Sequence, residues 1–325
     1  MARTLVTGIT GQDGSYLGEL LLERGDEVIG MVREAPADAR ERLIAPLRGV
    51  ELVHGDLAGA ESLRQVIATV KPDRVYHLAA PTFVPASWTD PAGSLHDVAG
   101  ATFTLLNAIE QEVPAARVFL ASSAEVFGDC GESPQHERTP TFPRSPYGIG
   151  KLAALRAAHV YRGRGLHVSA GILFNHESPR RPERFLPRKV TKGAARIAAG
   201  LETSLEVGDR RAIRDWSHAR DLMAGAILAV EHDQPDDYVF ASGIGHSVGD
   251  LIDLAFRLCG LHAEDHVVVN PAFVRDPERT APVGDPSKAH RVLGWMPEAT
   301  FDHVVAEMVE HDVALARTEA AGPII

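Results

Sequence analysis

Short apolar runs, separated by glycines and by amphipathic stretches, set the rhythm of the first half of the chain. Thr4-Leu5-Val6 is apolar and β-branched and stops at a glycine cluster. Leu17, Leu20 and Leu21 then recur on one helical face, with Gly25 as a stop. Glu27–Val32 reads as a second buried strand, and Leu52-Val53-His54 as a third that ends at Gly55-Asp56-Leu57. Val66, Ile67 and Val70 mark a helix closed before Pro72. Arg74–Ala79 reads as a fourth strand, Gly93–Gln111 as a helix and Arg117–Ala121 as a fifth strand. Strands that alternate with helices pair in parallel through right-handed crossovers. Strands this apolar suit a sheet covered on both faces. The expected class is therefore α/β, with a doubly wound parallel sheet.

After about residue 172 the rhythm loosens. Pro179, Pro182 and Pro187 interrupt a basic loop, a helix is expected near Thr191–Ala199, and the stretch from Ser247 is mostly helical with a Pro-rich connection at Asn270–Pro286. This pattern predicts a smaller, mostly helical cap over the carboxyl edge of the sheet. Residues 1–172 would form the sheet domain, 217–245 would return to it, and 173–216 with 246–325 would form the cap.

Composition narrows the functional classes. The 325 residues carry a formal charge of -11, which argues against nucleic acid or an anionic membrane as partner. Cys130 and Cys259 have no metal-ligand spacing around them and are too few for a disulfide framework, so no metal is expected and a reducing compartment fits. The N-terminus runs directly into a strand without the pattern of a signal peptide, and no apolar run is long enough to span a bilayer. The expected setting is cytoplasmic.

Gly8, Gly11 and Gly14 lie between the first strand and the first helix, the setting in which a glycine turn brings backbone and a helix N-terminus to a pyrophosphate. Gln12 and Asp13 belong to the same turn. The GxxGxxG spacing is typical of the extended short-chain dehydrogenases, and with it the sheet reads as Rossmann-type. Arg33 leaves the second strand first and would pair with the extra phosphate of NADP; Glu34 beside it would favour NAD through the ribose hydroxyls. The order favours NADP. Asp56 and Leu57, at the next strand end, are placed to contact the adenine.

Tyr147 and Lys151 share one helical face at i and i+4. A phenol has an ordinary pKa of about 10. A neighbouring ammonium and a positive nicotinamide would favour its phenolate, which could take a hydroxyl proton as hydride leaves the same carbon. Lys151 could also hold the nicotinamide ribose. Just upstream, at the end of the fifth strand, Ser123 could bond the reacting hydroxyl. Glu125 adds a carboxylate that a simple alcohol dehydrogenase does not need but an elimination does. On position alone Glu125 could equally pair with a surface Arg.

Taken in order, Gly11–Leu17, Pro143–Gly148, Gly171–Arg181, Arg188-Lys189, Arg214–Ala219, Pro235–Val239, Gly284–Ala289 and Leu293–Trp295 resemble the GDP-mannose 4,6-dehydratases over nearly the whole chain. The resemblance implies that Ser123, Glu125, Tyr147 and Lys151 are catalytic. It implies that Ala79 and Ala80 border the bound NADP and that His176 and Arg181 lie along it. Asn175 would contact the sugar diphosphate, and Lys189, Arg214, Arg275 and Glu278 would hold the GDP half, chemistry that suits phosphate and ribose. A homodimer is implied, with a tetramer as the larger alternative. The chain departs from the family's pattern at Pro81-Thr82-Phe83, where a polar Gln-Ser-His stretch is usual, at Ala124 beside the catalytic Glu, and in the short segment after Arg33. The first departure leaves a dehydratase of another GDP sugar, such as a heptose or an amino sugar, as an alternative. A GDP-4-keto-6-deoxyhexose reductase is the other, although it would need no Glu125.

Overall fold

The computed structural model describes residues 1–33, 44–274 and 280–321. Glu34, Arg275 and Glu278 lie outside the described residues. In chain order the first elements are β1 (Arg3–Thr7), α1 (Gln12–Glu23), β2 (Glu27–Val32), β3 (Glu51–His54), α2 (Ala60–Val70), β4 (Arg74–His77), α3 (Pro91–Leu95), α4 (Ala101–Glu112), β5 (Arg117–Ala121), α5 (Pro146–Gly163) and β6 (His167–Leu173). There follow β7 (Asn175–Glu177), α6 (Leu186–Ala198), β8 (Leu205–Val207), β9 (Ile213–His218), α7 (Ala219–Glu231), β10 (Asp237–Phe240), β11 (Gly245–Ser247), α8 (Val248–Leu258), β12 (Val267–Val269), α9 (Ser287–Leu293) and α10 (Phe301–Ala321).

Among the described residues seven strands form one parallel sheet in the order β10-β6-β5-β4-β1-β2-β3. The order reverses between β1 and β4, where Thr4–Thr7 pair with Arg74–His77. In such sheets the crevice for a ligand opens beyond the carboxyl ends of those two strands. Both faces are covered, as the apolar strands require. Leu63, Ile67, Leu105, Ile109 and Leu155 from α2, α4 and α5 pack on one face. Leu17, Leu21, Leu222, Met223 and Ile227 from α1 and α7 pack on the other.

A second layer lies beyond β6. There β7, β9 and β11 make a small mixed sheet, β8 pairs with β12, and α6, α8 and α10 enclose an apolar cluster around Trp216. The Trp216 ring stacks on Phe301 at 5.7 Å.

Three boundaries differ from the sequence pattern for local reasons. β4 ends at His77, because the next backbone turns over the glycine loop and the Ala79 amide donates to Thr7 Oγ1 (3.2 Å). The helix expected from Gly93 starts at Pro91, capped by Asp90, and passes through a wider π turn at His96–Gly100. α6 starts at Leu186 rather than near Thr191. Pro187 sits in its first turn, where a missing N–H costs nothing, and acts as a starter instead of a breaker. No described helix is long and apolar enough to cross a membrane.

Candidate active site

The glycine loop packs backbone against backbone. Gly8 has φ +80°, and a Cβ there would lie 2.9 Å from the Ala79 nitrogen. A Cβ on Gly14 would lie 2.1 Å from the Gly8 carbonyl oxygen. α1 begins at Gly11 with no side chain capping its first turn, so its positive end faces the crevice. Around that end lie Ala79 and Ala80 after β4, Asp56 and Leu57 after β3, and exposed Arg33 after β2. This donor set fits a dinucleotide: glycine backbone and a helix N-terminus suit the pyrophosphate, and the ends of β2 and β3 carry Arg33 and Asp56.

Three groups tie the loop to β7. Gln12 Nε2 donates to Asp13 Oδ1 (3.0 Å) and to the His176 carbonyl (3.2 Å), while Gln12 Oε1 accepts from Ser178 Oγ (2.9 Å). His176 Nε2 lies 3.1 Å from both Asp13 carboxylate oxygens, and Nδ1 lies 2.7 Å from the Phe174 carbonyl. A carboxylate and a carbonyl only accept, so both ring nitrogens donate and His176 is an imidazolium. Burial works against both charges, yet the pair prevails. His176, Gln12 and Arg181 hold the Asp13 carboxyl far below its usual range, and Asp13 raises the His176 pKa.

Tyr147 and Lys151 share the buried face of α5, whose start is fixed by Pro146 and by Ser145 Oγ, which accepts from the Gly148 amide (3.0 Å). The Ser123 hydroxyl neighbours the Tyr147 phenol and favours its ionised form. Ser123 Oγ also accepts from the Glu125 amide (3.2 Å), which fixes the short turn that carries the Glu125 carboxylate. Lys151 Nζ donates to the Ala121 carbonyl (2.7 Å) and lies 5.8 Å from the Tyr147 ring centre.

Burial dominates the electrostatics of this pair in the protein alone. Burial pushes the phenol well above its ordinary pKa; the Ser123 hydroxyl opposes this, Glu125 adds to it and Arg181 opposes it. Burial also brings Lys151 down to about 8.

Arg181 reaches this group from the loop after β7. Its Nε lies 3.1 Å from Glu177 Oε2, and its guanidinium covers the Phe185 ring at 3.7 Å. Phe185 meets Phe83 edge to face at 5.5 Å, which brings the Pro81-Thr82-Phe83 loop to the same wall. Asn175 begins β7, at the carboxyl end of β6. Lys189 on α6 lies over Phe273 at 4.6 Å, and Arg214 lies on β9. The structure thus gathers Asp13, Ser123, Glu125, Tyr147, Lys151, His176 and Arg181 into one electrostatic unit, with Lys189 and Arg214 on the second layer. A cavity of about 690 Å³ at the other edge of the sheet, lined by Lys71, Arg74, Arg117 and Glu231, contains none of them.

Sequence reasoning missed two supporting residues. His77 is buried and neutral, lowered to about 3 by burial and then by Lys151, and its Nδ1 lies 2.9 Å from Thr7 Oγ1 beneath the glycine loop. Asp215 accepts from the Ser242, Gly243 and Gly284 amides at 2.8, 3.0 and 3.1 Å and so joins the strand of Arg214 to two loops. A strand histidine or a lone aspartate carries no spacing signal that could have marked either.

Residues 5–308 match the family model described as GDP-mannose 4,6 dehydratase. The chain belongs to this family. GDP-mannose 4,6 dehydratase 1 of Arabidopsis thaliana is 42% identical over 328 residues, covering 97% of this chain and 91% of that protein. Among solved structures, RMD from Pseudomonas aeruginosa complexed with NADPH is 25% identical with a TM-score of 0.81, covering 97% of this chain and all of that one. UDP-glucose 4-epimerase of Thermus thermophilus, in complex with NAD, is 26% identical with a TM-score of 0.82, covering 95% and 98%.

Proposed function

We propose that Ser123, Glu125, Tyr147 and Lys151 convert GDP-mannose to GDP-4-keto-6-deoxymannose, by internal hydride transfer and loss of water, in the crevice beyond β1 and β4. The observation that carries this reading is the exposed Glu125 carboxylate, presented near half-buried Ser123 and buried Tyr147 on a turn that Ser123 itself fixes. Tyr147 takes the proton of the sugar 4-hydroxyl, with Ser123 orienting that hydroxyl. Carbon 5, now next to a ketone, gives its proton to Glu125, which delivers it to the departing 6-hydroxyl. Lys151 positions the nicotinamide ribose. A bound nicotinamide dinucleotide would take the hydride from carbon 4 and give it back at carbon 6, and the proton that Tyr147 took from the 4-hydroxyl balances the one carbon 5 regains, so that water is the only group lost. Gly8, Gly11, Gln12, Asp13, Gly14, Asp56, Leu57, Ala79, Ala80, His176 and Arg181 line the dinucleotide site, and Arg33 selects NADP. Asn175 takes the sugar diphosphate, and Lys189 and Arg214 take the GDP half, to which the resemblance also assigns Arg275 and Glu278. Residues 173–216 and 246–325 form the substrate-binding cap.

Glu125→Gln tests the assignment. The variant should bind the dinucleotide as the parent does and lose about 10²–10⁴-fold in water loss from GDP-mannose, measured by mass spectrometry of the product. Undiminished turnover overturns the role of Glu125. Phe83 supports a second reading in which a GDP sugar other than mannose is the substrate, because an aromatic wall offers a sugar hydroxyl no hydrogen-bond partner. Phe103, Ile149 and Val160 leave apolar area on α4 and α5, at 43%, 48% and 55% exposure, and support a homodimer through these helices. The half-buried free thiols of Cys130 and Cys259 are compatible with a cytoplasmic setting.

A further inference from the structure

Arg188 lies inside the protein on α6, and every contact of its guanidinium is to a fixed group. Its Nε lies 2.8 and 2.9 Å from the two carboxylate oxygens of Asp312, and its Nη2 lies 2.6 Å from Asp312 Oδ1. The remaining nitrogen, Nη1, donates to the Pro179 and Arg181 carbonyls, the latter at 3.1 Å. Thr191 Oγ1, one turn along α6, adds a bond to Asp312 Oδ2 (2.7 Å). Asp312 sits on α10, and its side chain is fully buried.

The carbonyls that Arg188 holds belong to the loop that presents Arg181. The opposite side of that loop is held by α1: Ser178 Oγ donates to Gln12, and Arg180 pairs with Glu19 (2.8 Å) and lies over the Tyr16 ring at 3.8 Å. The loop is thus clamped between the cofactor helix and the C-terminal helix. A buried guanidinium whose donors go to a carboxylate and two carbonyls fixes backbone position to within a hydrogen-bond length.

We infer that Arg188, with Asp312 and Thr191 behind it, is a positioning residue for the nicotinamide dinucleotide: it sets the loop so that Arg181 and His176 meet the bound cofactor. This rests on the reading that Arg181 and His176 line the cofactor site. It gives α10 a part in cofactor retention although α10 supplies no proposed ligand contact.

The test separates positioning from stability. A buried ion pair can be replaced by apolar groups of similar volume with little loss of stability. The triple variant R188M/T191V/D312L should therefore melt close to the parent, while Pro179 and Arg181 lose their donor. Two readouts are compared. Hydrogen exchange of the 178–185 amides in cofactor-free protein should quicken about tenfold or more, and the dissociation constant for NADP should rise about tenfold or more. At saturating NADP the kcat should change far less than the apparent KM for the cofactor. If the triple variant fails to fold, Asp312→Asn, assayed well below its melting midpoint, should show the same two shifts in milder form. Exchange and affinity that both stay at the parent value in a folded variant overturn the inference. Faster exchange with unchanged affinity also overturns it, since the loop would then be fixed for reasons other than the cofactor. A parent protein that binds no nicotinamide dinucleotide counts against the proposed function instead, and unchanged exchange in the variant still refutes the clamp.

Discussion

Gly14 puts the geometry of the cofactor loop to a quantitative test, because two effects of one methyl group oppose each other there. Gly14 lies inside α1, where alanine is preferred to glycine by about 1 kcal/mol. Its added Cβ, however, would sit 2.1 Å from the Gly8 oxygen and 2.6 Å from the Ile9 Cα. Contact distance for such atoms is about 3.5 Å, so the Gly8 carbonyl would have to retreat by more than about 1 Å. That carbonyl accepts the Gly11 amide at 3.0 Å and belongs to a turn with φ +80°, so it cannot rotate away as a side chain would. The cost belongs at the upper end of the overpacking range, about 3 kcal/mol, leaving a net loss of about 2 kcal/mol. At about 2–4 °C per kcal/mol this lowers the melting midpoint by about 4–8 °C. Gly18→Ala is the control one turn along. Its Cβ would meet Leu47 methyls at 2.8 and 3.1 Å and an Ile9 methyl at 3.1 Å, which are ends of flexible side chains. The same helix gain should offset that crowding, keeping Gly18→Ala within about 2 °C of the parent. Calorimetry of the cofactor-free proteins, followed by titration with NADP, reads both. A Gly14→Ala protein that melts with the parent and keeps its dinucleotide affinity would refute the backbone-contact argument.

Other expectations follow from buried groups and from the exposed helices. Lys151 is lowered from its ordinary 10.5 to about 8, so above about pH 8 the folded state has released a proton that the unfolded chain still holds. Stability should therefore rise from about pH 8 towards pH 10, and Lys151→Met should remove that rise in urea titrations across the range; an unchanged slope would exclude the burial of a charged Lys151. Trp295 is buried against Phe240 and donates from Nε1 to the Asp221 carbonyl (2.8 Å), so Trp295→Ala should cost about 3–5 kcal/mol in chemical denaturation, and a loss under 1 kcal/mol would contradict its packing. If the proposed homodimer forms through α4 and α5, the parent should sediment as a dimer and Val160→Glu as a monomer; a parent that sediments as a monomer would overturn the dimer, and a Val160→Glu dimer would put the contact on another face.

How far the sequence reveals this protein depends on how local each signal is. The glycine loop and the Tyr147–Lys151 face are readable because every residue involved lies within one turn of its neighbours, and the spacing itself is the geometry. The strands of the sheet are readable because burial on both faces forces continuous apolar runs. The pair Asp13–His176 joins residues 163 positions apart, and Arg188–Asp312 joins residues 124 apart; no period links them. Pro187 shows a different limit, since the same residue ends a helix or starts one according to which backbone groups already lack partners. Tyr147 shows a third, because a neighbouring ammonium is visible in the spacing and the burial of the phenol is not.

The path of the chain between the two layers has a bearing on how specificity can be altered. The polypeptide leaves the large sheet after β6, comes back at the junction of β9 and α7, and departs again after β10. The second layer is therefore stitched to the first at several points, among them Asn175-His176 after β6, Ser217-His218 before α7 and Ser242-Gly243 after β10, and α9 comes back to pack on the large sheet before α10 leaves it. The second layer cannot be lifted out as a module and exchanged for another, because any graft would cut beside Asp215 or His176. Diversification is steered towards point changes on surface segments that make no such stitch. The Pro81-Thr82-Phe83 turn is a segment of that kind, and it meets the second layer through the Phe83–Phe185 ring contact rather than through a crossing of the chain.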